Sequence, residues 1–208
     1  MKNLFWTFLV LAALASPALA TGPSFGRFQD AEGCYNQKWT PDRRIAACQK
    51  ILLAHMLTRD AATETYQNMG AAYLEEGDYP HALEAFNFAL KWTPTLWEAH
   101  NNRAIVYKRM HQYDKAVDEY TAAIKIAPDI APLYSNRAIS LVLLNRSTEA
   151  KADIDRALQL DPKNAEALYV RGLMELQAGD TAAGNADIAA AKAIVPDIDS
   201  TNTHVSVQ

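Results

Sequence analysis

The chain is poor in the residues that make catalysts and metal sites. Its 208 residues include two cysteines and five histidines. No histidine falls into H-E-x-x-H, and none joins a Cys/His cluster with ligand spacing. With eight glycines there is no phosphate-cradling loop, and the acidic residues read as solvated helix faces rather than as an isolated carboxylate pair. No metal site and no cofactor are expected. Basic blocks are also missing. Lys2 is the only charged residue of the first twenty, so the remainder carries 19 basic and 24 acidic residues, and nucleic acid is excluded as an expected partner.

Long apolar runs are equally scarce. The one candidate, Leu4 to Ala15, lies in "MKNLFWTFLVLAALASPALA" and is followed by small residues at Ala18 and Ala20. Twelve residues of helix reach about 18 Å, short of a hydrocarbon core of about 30 Å. Residues 1–20 therefore read as a signal peptide with an A-x-A cleavage site, a retained anchor being the lesser alternative. The product is expected to be exported, periplasmic first and secreted second, with no integral membrane segment in the mature chain. In such a compartment Cys34 and Cys48 are expected to form a disulfide, and their spacing does not fit a redox-active C-x-x-C pair.

What the chain does have is a period. Written in rows of thirty-four from Thr63, it gives four rows, 63–96, 97–130, 131–164 and 165–198, without insertion or deletion. Column 8 reads Gly70, Ala104, Ala138 and Gly172. Column 20 reads Ala82, Ala116, Ala150 and Gly184, and column 27 is alanine in every row. Column 32 is always proline, which stops a helix because it lacks a donor and restricts the residue before it. Each row resolves into two helices with apolar residues at helical spacing, and the small columns let the two approach closely.

Tyr66, Met69-Gly70, Tyr73, Ala82, Phe86 and Pro94 reproduce the pattern of an aromatic, a large-small pair, a Tyr, an Ala, a Phe and a closing Pro. In this the chain resembles the tetratricopeptide repeat family over residues 63 to 196. The resemblance implies an all-α fold. It would be an α-solenoid of four 34-residue helix-turn-helix repeats whose first helices line a concave groove. Row four departs from the pattern at Glu175 and Gly184, so that repeat is expected to be the least stable.

Residues 32–62 read as a degenerate helical cap stapled by Cys34 and Cys48, with Thr40 as N-cap before Pro41. Residues 21–31 read as a linker and 199–208 as a disordered polar tail. No separate helix after Pro196 is expected to cover the last repeat. Its alanine-rich second helix is then either a face that tolerates water or a homodimer contact.

Two columns carry the functional question. Column 7 holds Arg103, Arg137 and Arg171, and sixteen residues after each stands an acid, Glu119, Asp153 and Asp187. In row one both positions are uncharged, Met69 and Ala85. Charges that come and go together point to structural ion pairs between the helices of repeats two to four.

Column 6 reads Asn68, Asn102, Asn136 and Val170, and the resemblance places it in the groove. There an asparagine row either grips the backbone of an extended segment or fixes the repeat-to-repeat packing. Lys108, Arg109, Val142 and Leu143 would select side chains. The expected function is a non-enzymatic adaptor that binds a protein or extended peptide in the groove. The alternative is a structural subunit of an envelope complex that docks through its last helix.

Overall fold

The structure, a computed structural model, describes residues 32–53 and 57–201. The expected signal peptide, the linker and the tail beyond Thr201 lie outside the described residues. Everything folded in the described part is helix. A helical turn over residues 32–35 leads into α1 (Pro41–Leu53), and four pairs follow. These are α2 (Arg59–Glu76) with α3 (Tyr79–Trp92), α4 (Trp97–Arg109) with α5 (Tyr113–Ile126), α6 (Ala131–Leu143) with α7 (Ser147–Leu160), and α8 (Ala165–Ala178) with α9 (Thr181–Ile194). A last turn, α10, spans Ile198–Thr201.

The small columns do the packing. Ala82, Ala116 and Ala150 of column 20, and all four alanines of column 27, are fully buried, so at those columns nothing larger than a methyl group separates the paired helices. In the fourth pair the approach is closer still. A Cβ placed on Gly172 would lie 2.7 Å from the carbonyl oxygen of Gly184, and one on Gly184 would lie 2.7 Å from that of Gly172. Gly184 is thus a contact the packing requires, as well as a weak helix former. Column 24 fills the remaining space with Phe86, Tyr120 and Ile154, each buried.

The turn inside each pair is the same four times. Column 15 has positive φ in every repeat: Gly77 at 79°, His111 at 57°, Asn145 at 59° and Gly179 at 91°. The residue after it donates its backbone N–H at 2.9 Å to the carbonyl of column 11, from Asp78 to Tyr73 through Asp180 to Glu175. That bond closes the first helix and reverses the chain. Glycine meets the requirement without strain, whereas His111 is held there beside Tyr113, with its Nδ1 2.7 Å from the hydroxyl and its ring edge-on to the phenol.

The first helices form the inner layer. Two of the three neighbouring pairs of first helices pack on one another, α2 on α4 and α6 on α8, while the second helices pack on the first helices of their own pair and of the next. A stack in which one layer closes up and the other splays has its concave side on the closed layer.

α2 begins at Arg59, a turn before the row boundary at 63, because the Thr58 side chain accepts from the Ala61 N–H at 3.2 Å and caps the helix there. The last turn of the cap segment, residues 59–62, thus runs straight into the first repeat, and the cap packs on the same helix. The cap is held by the Cys34–Cys48 disulfide, with a Cα separation of 4.8 Å, and by the buried Arg44, which pairs with Glu75 on α2.

At the other end residues 199–201 are helical rather than a frayed tail. Ile198 is fully buried against Leu168, Tyr169 and Ala191, and Asp199 pairs with Lys192 at 2.7 Å. A helical turn thus covers part of the last repeat where none was expected. Its one apolar side chain packs against both α8 and α9.

Candidate functional site

Column 7 points away from the inner face, and its arginines sit between second helices. Arg103 donates to Glu119 at 2.6 Å, Arg137 to both oxygens of Asp153 at 2.7 Å, and Arg171 to Asp187 at 2.5 and 2.9 Å. Each guanidinium also faces the preceding repeat, sixteen residues upstream. Arg103 donates to Asn87 at 2.6 Å and Arg137 to Thr121 at 2.9 Å, and Asp155 holds that place beside Arg171. One side chain therefore ties three helices, and the arginines clamp repeat to repeat as well as helix to helix. The sequence shows the downstream partners; the upstream ones are hidden in it, because Asn87, Thr121 and Asp155 share no charge.

A histidine joins the first clamp. His100 places Nδ1 2.8 Å from Glu119 and Nε2 3.1 Å from the Pro94 carbonyl. Each ring nitrogen thus faces an oxygen acceptor, one on α5 and one in the loop before α4. Burial alone would raise the Glu119 carboxyl, but hydrogen bonds from His100 and Arg103 more than offset it and hold it below its usual range. In the next repeat Tyr134 takes the same column and donates to the Pro128 carbonyl at 2.8 Å.

The asparagines of column 6 do three different things. Asn68 donates to the Glu64 carbonyl of its own helix at 2.8 Å, and Asn102 accepts from its neighbour Asn101 at 3.2 Å. Only Asn136 bonds across repeats, accepting from Lys108 of α4 at 3.3 Å. Asn136 is therefore the one asparagine of the three that ties two repeats together. All three are half-buried, as are Val142 and Leu143, while Arg109 is exposed beside Lys108.

Lys108 is the unusual member. It is half-buried, and burial pushes its amine down to about 8, with Arg109 adding to the effect and Glu166 of α8 opposing it. Among the described residues it forms no ion pair, and Asn136 is its hydrogen-bond partner. The inner face thus turns from polar in the first repeat, through Lys108 and Arg109, to apolar at Val142 and Leu143.

Models of the tetratricopeptide repeat match residues 63–96, 97–130 and 135–197. The chain belongs to the tetratricopeptide repeat family. Family members serve as protein-interaction modules, and this chain has their all-helical solenoid.

Among solved structures it is similar to MamA from Desulfovibrio magneticus RS-1, at 19% identity and a TM-score of 0.69 over 83% of this chain and 95% of that one. It is also similar to YrrB, described as a tetratricopeptide protein with an unusual peptide-binding site, at 18% identity and a TM-score of 0.61 over 87% and 88%. At these identities the likeness shows the fold. No curated protein sequence matches the chain.

Among the described residues no group of three or more His, Cys, Asp or Glu could hold a metal ion, and no helix is long and apolar enough to cross a membrane. The spacing G-x-S-x-G occurs once, at Gly22, Ser24 and Gly26, outside the described residues. A serine nucleophile of that kind needs a strand-to-helix turn to expose it, and no strand is present among the described residues.

Proposed function

We propose that this protein is an exported, non-enzymatic adaptor that holds an extended segment of a partner protein against the inner face of its first helices. The observation that carries the reading is the division of labour between the two sides of those helices. Column 7 commits its charge to clamps between helices, while the inner columns keep polar groups that the fold does not use up. Among the described residues Asn102 and Asn136 each accept one hydrogen bond from a neighbouring side chain, which leaves their amide N–H groups for a ligand backbone. The peptide-binding site in the description of YrrB agrees with this reading. Periplasmic residence rests on the leader-like first twenty residues.

Amide contacts alone bind weakly, since each net hydrogen bond contributes about 0.5–1.5 kcal/mol against several for association. Side-chain contacts from Lys108, Arg109, Val142 and Leu143 are needed to make a useful complex. The test is affinity capture from an envelope extract, comparing the protein with Asn102→Ala/Asn136→Ala and with Ala186→Glu on the exposed face of α9. Loss of a partner only in the asparagine variant is the expected outcome. Loss only in Ala186→Glu would move the site to α9 and make the chain an assembly subunit.

A further inference from the structure

The groove reading leaves open what the partner segment carries, and Lys108 narrows it. Its ammonium has three donors and one neutral acceptor, Asn136 at 3.3 Å. The charged groups facing it are Arg109 on its own helix, which repels it, and Glu166 on α8, which lies in electrostatic range without pairing. A half-buried cation kept without a counter-ion is poorly satisfied. The arginines of column 7 each have a carboxylate; this amine, on the opposite face, has none among the described residues. One repeat further on, the inner face is apolar at Val142 and Leu143, both half-buried and packed on the core of the third repeat.

Resting on the groove reading, we propose that the bound segment is acidic-apolar, placing one carboxylate side chain on Lys108 and, three residues along, a bulky apolar side chain on Val142 and Leu143. The spacing follows from the usual separation of neighbouring helices. Packed helices lie about 8–10 Å apart, and extended chain advances about 3.3 Å per residue. The carboxylate completes the hydrogen bonding of Lys108, and Arg109 at the exposed rim attracts it from solution.

The probe is a short fluorescein-labelled peptide of serine and alanine with one aspartate and a leucine three residues after it. Asp→Asn and Leu→Ser versions serve as controls, and binding is followed by anisotropy across the range around pH 8. The aspartate peptide should bind the protein about tenfold more tightly than the asparagine one at neutral pH. That contrast should shrink as pH rises through about 8, where the free amine loses its proton. Lys108→Gln should abolish the contrast at every pH, and Lys108→Arg should keep it with the pH dependence removed.

Equal binding of the two peptides, or a contrast that survives Lys108→Gln, overturns the inference while leaving the groove reading in place, provided Asn102→Ala weakens both. If no peptide binds to protein that circular dichroism shows to be folded, the groove reading falls and this inference falls with it.

Discussion

The outer and inner repeats reach the same fold by different means. In the first and fourth, the turn between helices is glycine followed by aspartate. Gly77 and Gly179 take the positive φ, and Asp78 and Asp180 cap the next helix by accepting from His81 and Ala183. In the second and third, His111 and Asn145 take the positive φ, and Gln112 and Arg146 make no capping bond. Those inner repeats have a neighbour on each side and clamps at Arg103 and Arg137 that reach both ways. Local signals are strongest in the two outermost repeats. The ends add further support, a disulfide before the first repeat and the buried Ile198 after the last.

The largest expected effect is at the N-terminal end. Cys34→Ser/Cys48→Ser should lower stability by about 3 kcal/mol in the chain-entropy view of a loop this size. Urea unfolding should then show the cap and first repeat melting before the rest.

In the inner repeats Arg137→Ala should cost about 2–3 kcal/mol, because it leaves Asp153, whose side chain is 8% exposed, without its cation. Met69→Ala in the unclamped first repeat should perturb the neighbouring repeat less. A double-mutant cycle of Arg137 with Asp153 measures the difference.

The turns should cross over. Gly77→Ala should destabilise by about 1 kcal/mol and His111→Gly should stabilise by about 0.5–1 kcal/mol, since both hold the same φ and only glycine does so freely. Equal and opposite shifts in thermal midpoint are the signature to look for.

An effect of similar size, but dependent on pH, should be at Lys108. Its folded-state amine titrates near 8, below its usual value, so between those two pH values the unfolded chain binds more protons and stability rises with pH. Lys108→Met should therefore stabilise the protein by about 1 kcal/mol at neutral pH, an advantage that fades as pH climbs past 8. Chemical denaturation at a series of pH values reads this directly.

Much of the fold was legible because a repeat supplies its own controls. Four rows in register expose the prolines, the small columns and the paired appearance of Arg103 with Glu119 or Arg137 with Asp153, against Met69 with Ala85. Features that satisfy one geometric need with different residues are harder to see. Gly77, His111, Asn145 and Gly179 share a conformation and nothing chemical, so the common turn is visible in the sequence only at its glycines. Asn87 and Thr121 are partners of arginines through position alone. The contact between Lys108 in column 12 and Asn136 in column 6 of the next row depends on how one repeat is rotated against the next, which no column comparison contains. Ile198 is hidden for a related reason, since a single apolar residue in a polar segment has no period to announce it.

The most direct test of the central claim, that partners are held on the inner face of the first helices, is site-specific photo-crosslinking in the envelope. A benzophenone side chain is placed at Leu143 on the inner face in one variant and at Ala186 on the outer face of α9 in another. The account predicts a discrete crosslinked species from position 143, weakened by Asn102→Ala, and none from position 186. A species formed from position 186 alone would contradict it and make the inner face architecture without a ligand.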